Sequence, residues 1–170
     1  MQLLRKRYRP DLVRLLFIGE SPPAGGTFFY AANSALFGYT QRAFTTAFGE
    51  CVGDGQEFLE YLRQSGCYLE DLCLQPVNNV RGTPRRALHR AGIGPLARRL
   101  SRLREQPCAI VIVGRSIRRP VCDALQQTGW DGAIVFSTAF PAMGHQNRYV
   151  RELTEVLESA KRAGWIKPDA

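Results

Sequence analysis

Cys108-Ala109-Ile110-Val111-Ile112-Val113-Gly114 is an unbroken apolar run that ends on glycine and leads through Arg115-Ser116 into a helical pattern over residues 116–128. A strand with one wet face alternates apolar and polar residues; a run without alternation reads as a strand covered on both faces. Arg14-Leu15-Leu16-Phe17-Ile18-Gly19 and Gly132-Ala133-Ile134-Val135-Phe136 have the same character, and Cys67-Tyr68-Leu69-Glu70-Asp71-Leu72-Cys73-Leu74 supplies a fourth strand. Helical patterns separate them, over residues 41–50 and 56–64, then 96–105, and finally 147–163. Strands alternating with helices predict an α/β fold in which helices cover both faces of a four-stranded parallel sheet, with residues 1–170 as one domain. In such a sheet the ligand site lies beyond the carboxyl ends of the strands, so the segments to watch are residues 19–30, 75–86, 114–119 and 137–147.

Composition narrows the function. The chain has 170 residues, of which 45% are hydrophobic and 22% charged, enough for a core without disulfides or metal. No apolar run approaches the ~18 residues of a membrane span, and the basic start, Met1 to Arg7, is followed by Tyr8-Arg9-Pro10-Asp11 rather than an apolar leader. A cytoplasmic, monomeric protein is expected. Its five cysteines are odd in number and never spaced C-x-x-C, which signals neither zinc nor a disulfide framework. Twenty-three basic residues against fifteen acidic leave a net charge of +8, and all but three of the bases are Arg. A guanidinium forks onto phosphate oxygens and stacks on bases, so nucleic acid is the expected partner.

The strand-end segments carry the chemistry. Gly19-Glu20-Ser21-Pro22-Pro23-Ala24-Gly25-Gly26-Thr27-Phe28-Phe29-Tyr30 is shaped by two prolines and three glycines. It ends in aromatic rings on which a nucleobase can stack; the same rings also suit the core. It has neither the P-loop nor the dinucleotide-binding glycine pattern. After the second strand, Gln75-Pro76-Val77-Asn78-Asn79 leads to eight Arg and no acid between Arg81 and Arg104. Arg85, Arg86 and Arg90 follow Thr83-Pro84, a helix-start signal, where phosphate binds readily; Arg98, Arg99, Arg102 and Arg104 read as a solvated helix face. Asp71, among Leu69, Leu72 and Leu74, must find a partner, shift its pKa or face a site. His145, in Phe140-Pro141-Ala142-Met143-Gly144-His145-Gln146-Asn147-Arg148, is the one histidine in a strand-end loop and suits proton transfer near neutral pH.

Taken in order, these motifs resemble the uracil-DNA glycosylase superfamily, over nearly the whole chain. Gly19-Glu20-Ser21-Pro22 after a strand looks like the first motif, with Phe28 or Phe29 in the place of the aromatic that stacks on the flipped base. Tyr68 to Asn79 is similar to the second strand and its Pro/Asn loop, and Phe140-Pro141-Ala142 occupies the place of the His-Pro-Ser motif that enters the minor groove. The resemblance implies a three-layer α/β/α sandwich with sheet order 2-1-3-4, DNA as partner, and hydrolysis of the N-glycosidic bond of a damaged or deaminated base: uracil, hypoxanthine or xanthine. It assigns catalysis to Asp71, Glu20 and His145, base binding to Gly19, Ser21, Pro22, Phe28, Phe29 and Asn78, and DNA contact to Arg81, Arg85, Arg86, Phe140, Pro141, Met143 and Arg148.

The sequence departs from the family at telling places. Ser21 stands where the best-known branch has a water-activating Asp, Phe140 where a His opens the last motif, and Asp71 where many members have Asn. The cysteines that hold an iron–sulfur cluster are missing before Gly19, so no cofactor or metal is expected. Two further readings stay open: a DNA- or nucleotide-binding protein of this fold without catalysis, and an unrelated enzyme on a flavodoxin-like or Rossmann-like sheet.

Overall fold

The computed structural model describes residues 1–49 and 52–166. Glu50, the expected end of one helix, and Cys51 fall outside the described residues. Four strands form one parallel sheet: β1 (Leu15–Gly19), β2 (Cys67–Asp71), β3 (Ala109–Val113) and β4 (Val135–Thr138), in the order β2-β1-β3-β4. Six helices surround it: α1 (Gln2–Arg7), α2 (Ala35–Phe48), α3 (Gly55–Gln64), α4 (Gly82–Leu100), α5 (Arg118–Gln127) and α6 (Gln146–Arg162). Helix α2 packs on α6 and α4 on α5, giving the three-layer α/β/α sandwich. No helix among the described residues is long and apolar enough to cross a membrane.

The unbroken apolar runs have their physical explanation in the two central strands: every residue of β1 and β3 is buried. Strand β4 lies at an edge and is only half-buried. Its pairing begins at Val135 rather than Gly132 and continues through Ser137 and Thr138, so the loop beyond it starts at Ala139. Strand β2 ends at Asp71, but the Leu72 and Cys73 amides still donate to the Gly19 and Glu20 carbonyls at 2.8 and 2.9 Å, which prolongs the contact with the chain leaving β1. The outer edge of β2 is covered by Tyr30: its hydroxyl donates to the Leu69 carbonyl at 2.9 Å and accepts from the Leu69 amide at 2.7 Å.

The largest difference from the sequence reading is α4, which begins at Gly82 rather than residue 96 and ends at Leu100 rather than 105. The helix runs through Gly92, Gly94 and Pro95. Gly92 is needed because α4 crosses the end of β2 so closely that a Cβ there would lie 2.9 Å from the Leu72 carbonyl oxygen. The cap is Arg81, which places Thr83 and Pro84 inside the first turn.

Candidate functional site

Reversal of strand order between β1 and β3 opens a crevice at their carboxyl ends. A cleft of about 300 Å³ lies there. Leu69 and Asp71 of β2 and Val113 of β3 contribute strand residues; Glu20 to Pro23, Phe28 and Phe29 come from the loop after β1, and Asn78, Arg85 and Phe140 from the other strand-end segments.

Two hydrogen bonds join the loops that frame it. The Val77 amide donates to the Ser21 hydroxyl at 3.2 Å, and the Ala24 amide donates to Asn78 Oδ1 at 3.1 Å. Ser21 therefore fastens one loop to another, and Pro22 is buried beside it. Phe28 and Phe29 are buried core residues that also line the cleft. Their faces are partly committed: Phe29 meets Tyr30 and Phe37 edge-on, and Phe28 lies under the Arg5 guanidinium, 5.6 Å from ring centre.

Asp71 is 5% exposed and lines the cleft. Arg5, delivered by α1, donates through Nη2 to Asp71 Oδ2 at 2.5 Å and through Nη1 to Glu70. The other oxygen, Oδ1, has no hydrogen-bond donor among the described residues and lies over Gly19, where a Cβ would approach it to 2.7 Å. Gly19 thus makes room for a carboxylate oxygen at the cleft floor. Burial pushes the Asp71 carboxyl up to about 6 against the opposing pull of Arg5.

Glu20 is held differently. Arg85 grips it through Nε at 2.7 Å and through Nη2, and His89 Nε2 lies 2.5 Å from Oε1. Burial would raise this carboxyl, but the hydrogen bonds from Arg85 and His89 outweigh it and hold the group below the usual range. Two carboxylates in one cleft are therefore driven in opposite directions, one toward the protonated form and one toward the ionised form, the arrangement that separates an acid role from a base or electrostatic role.

His145 does not join them. It is the exposed N-cap of α6 and is not among the cleft-lining residues. The histidine beside the site is His89, buried in α4 between the Thr83-Pro84 helix start and the helical pattern over residues 96–105, where no motif marks it. Arg5 was missed as well: 66 residues separate it from Asp71, and nothing local marks the pairing. Arg99, expected on a solvated face, instead turns inward to donate to the Asp71 carbonyl and sits 3.5 Å from Glu70.

The rim is cationic and apolar. Arg81 and Arg86 are exposed at the start of α4, Arg86 resting on the Thr83 hydroxyl at 3.0 Å. Phe140 is 47% exposed and Met143 94% exposed, in a turn where Met143 (φ 52°) and Gly144 (φ 85°) are left-handed and Pro141 is buried. Glu152 anchors this turn by accepting from the Ala139 amide at 2.6 Å and from Arg115 and Arg148, each at 2.8 Å. No three His, Cys, Asp or Glu side chains among the described residues are grouped to hold a metal ion. Comparison with protein-family models and with curated proteins finds no match to the chain.

Proposed function

We propose that the cleft receives a nucleobase turned out of DNA and that the chain is a cluster-free, glycosylase-like hydrolase of the N-glycosidic bond of deaminated bases. The observation that carries this reading is the Asp71 Oδ1 atom, unpaired at the floor of an apolar cleft while its partner oxygen is fixed by Arg5. That oxygen is open to the cleft and free to accept a hydrogen bond from a ligand. A ring N–H of a flat heterocycle suits that bond, and the Phe28 and Phe29 rings supply apolar wall.

The chemistry follows from the two carboxylates. As the bond from C1′ to the base breaks, its electron pair leaves with the base and positive charge builds on the sugar. Glu20, held ionised by Arg85 and His89, supplies the opposing charge and orients a water toward C1′. Asp71 meets the departing base, accepting from a ring N–H when ionised and donating a proton when protonated. Uracil N3–H, hypoxanthine N1–H and xanthine N1–H each lie beside a carbonyl oxygen, so each can donate to an ionised Asp71. All three deaminated bases are substrates on this reading. Outside the cleft, exposed Phe140 and Met143 fill the gap left in the duplex, and Arg81, Arg86 and Arg148 meet phosphates.

One observation favours binding without hydrolysis: Ser21, where the family's best-known branch has its water-activating acid, is committed to the Val77 amide. A single assay separates the two. Duplexes carrying uracil, hypoxanthine or xanthine are incubated with protein and treated with alkali, which cuts at abasic sites. Cleavage at any of the three bases that disappears in Asp71→Ala supports the hydrolase. Salt-dependent binding of all duplexes with no cleavage supports the binding protein, and cleavage that is unchanged in Asp71→Ala refutes the assignment of Asp71.

A further inference from the structure

A second concavity, of about 130 Å³, opens between α1, β2 and the end of α4, and it is separate in chemistry from the base cleft. Arg5, Lys6 and Arg9 enter it from the N-terminal segment, and Arg99 and Arg102 from the end of α4; Glu70 is the one carboxylate among its lining residues. Glu70 is occupied by Arg5 and Arg99. Among the described residues no carboxylate lies within ion-pair distance of Lys6, Arg9 or Arg102, so three cations converge on the pocket without a counter-charge. The Arg9 guanidinium is steered there by a 3.2 Å hydrogen bond to the Arg102 carbonyl.

A neutral group points to the ligand independently. Tyr68 is only 6% exposed and lines this pocket, yet its hydroxyl makes no hydrogen bond among the described residues. The hydroxyl oxygen itself is not fully buried, so it is open to the pocket and can donate to what binds there. Burial pushes its pKa up to about 12, so it stays a neutral donor.

We propose that this pocket binds the terminal phosphate of a phosphomonoester. Such a group carries nearly two negative charges and three acceptor oxygens, matching three spare cations and a hydroxyl donor. A phosphodiester carries one charge and is flanked by ester oxygens on both sides, so it suits an open surface better than a recess. The inference goes beyond the reading of the base cleft and stands whether or not that cleft hydrolyses anything.

The test is titration of the whole protein with phenyl phosphate and with dimethyl phosphate at low ionic strength, followed by ³¹P NMR. Saturable binding of phenyl phosphate is expected, with dimethyl phosphate about tenfold weaker, and the exposed-residue variant Lys6→Glu/Arg102→Glu is expected to lose about tenfold in affinity. Tyr68→Phe, which removes only the hydroxyl, is expected to weaken binding without lowering the melting temperature. A 5′-phosphorylated oligonucleotide that binds more tightly than its 5′-hydroxyl twin identifies a strand end as one source of the phosphate. Absence of saturable binding, equal binding of the two phosphates, or binding unchanged in Lys6→Glu/Arg102→Glu overturns the proposal.

Discussion

Replacing Gly19 by Ala adds one methyl group at the point where β1 passes beneath the Asp71 carboxylate. The new Cβ would stand 2.7 Å from Asp71 Oδ1, against about 3.3 Å for the closest ordinary C···O contacts, so the carboxylate must retreat by roughly 0.6 Å. It cannot retreat freely, because Oδ2 is held by Arg5 at 2.5 Å. Overpacking of this kind costs about 1–3 kcal/mol. At about 3 °C per kcal/mol for a chain of this size, the melting temperature is expected to fall by roughly 3–9 °C. Since misplacement by about 1 Å costs on the order of 100-fold in rate, excision by Gly19→Ala is expected to drop about 10- to 100-fold. Gly25, in the same loop, is the control: a Cβ there meets nothing within 4 Å and its φ is not left-handed. Scanning calorimetry and the alkaline cleavage assay should find Gly25→Ala close to wild type in both respects. Wild-type stability and rate in Gly19→Ala would refute the placement of Asp71 over that glycine.

Arg5→Gln leaves buried Asp71 without its ion-pair partner and Glu70 with Arg99 alone, and is expected to cost about 3–5 kcal/mol in urea titrations at pH 7.5, with a smaller loss at pH 5 where Asp71 takes up a proton. Asp71 itself has a folded-state pKa near 6 against an ordinary 3.8. Its contribution to stability is therefore complete below pH 3.8 and is lost as pH rises through 6, a span of about two units or about 3 kcal/mol. Asp71→Asn, which does not titrate, should gain on wild type by up to about that amount between pH 4 and 7; parallel pH profiles would contradict this. Glu152→Ala frees the Ala139 amide, Arg115 and Arg148 together, and is expected to destabilise by about 1–3 kcal/mol, to open the Phe140–Met143 turn to limited proteolysis and to weaken DNA binding by filter retention.

How far the fold was legible follows from the kind of signal each element carries. The buried runs of β1 and β3 have no competing reading, and with the helical periods between them they lead to the observed parallel sheet; the resemblance supplied its order. Helix α4 was legible only in part. It has no clear apolar stripe, its long basic face reads as solvated, and Gly92, Gly94 and Pro95 look like a stop unless one knows that a neighbouring chain presses on Gly92. His89 stands in a stretch that no motif marks, whereas His145 is singled out by its strand-end loop but lies at the surface. Asp71 was identifiable because an acid inside an apolar strand demands an explanation. The identity of its partner was not, since Arg5 reaches it across the fold from a helix whose three-residue basic cluster looks like any charged terminus. Arg99 shows the same limit: in a run of eight arginines, only the packing tells which one turns inward.

On the proposed function, Asp71 Oδ1 meets the edge of an extruded base. The most direct measurement is a crystal structure of the protein bound to a duplex bearing 2′-fluoro-2′-deoxyinosine, whose glycosidic bond resists hydrolysis. The hypoxanthine ring is expected outside the helix, within the cleft bounded by Phe28 and Phe29, with a ring N–H about 2.9 Å from Asp71 Oδ1. A base still stacked in the duplex, or one bound elsewhere while Asp71 stays engaged with Arg5 alone, would contradict it.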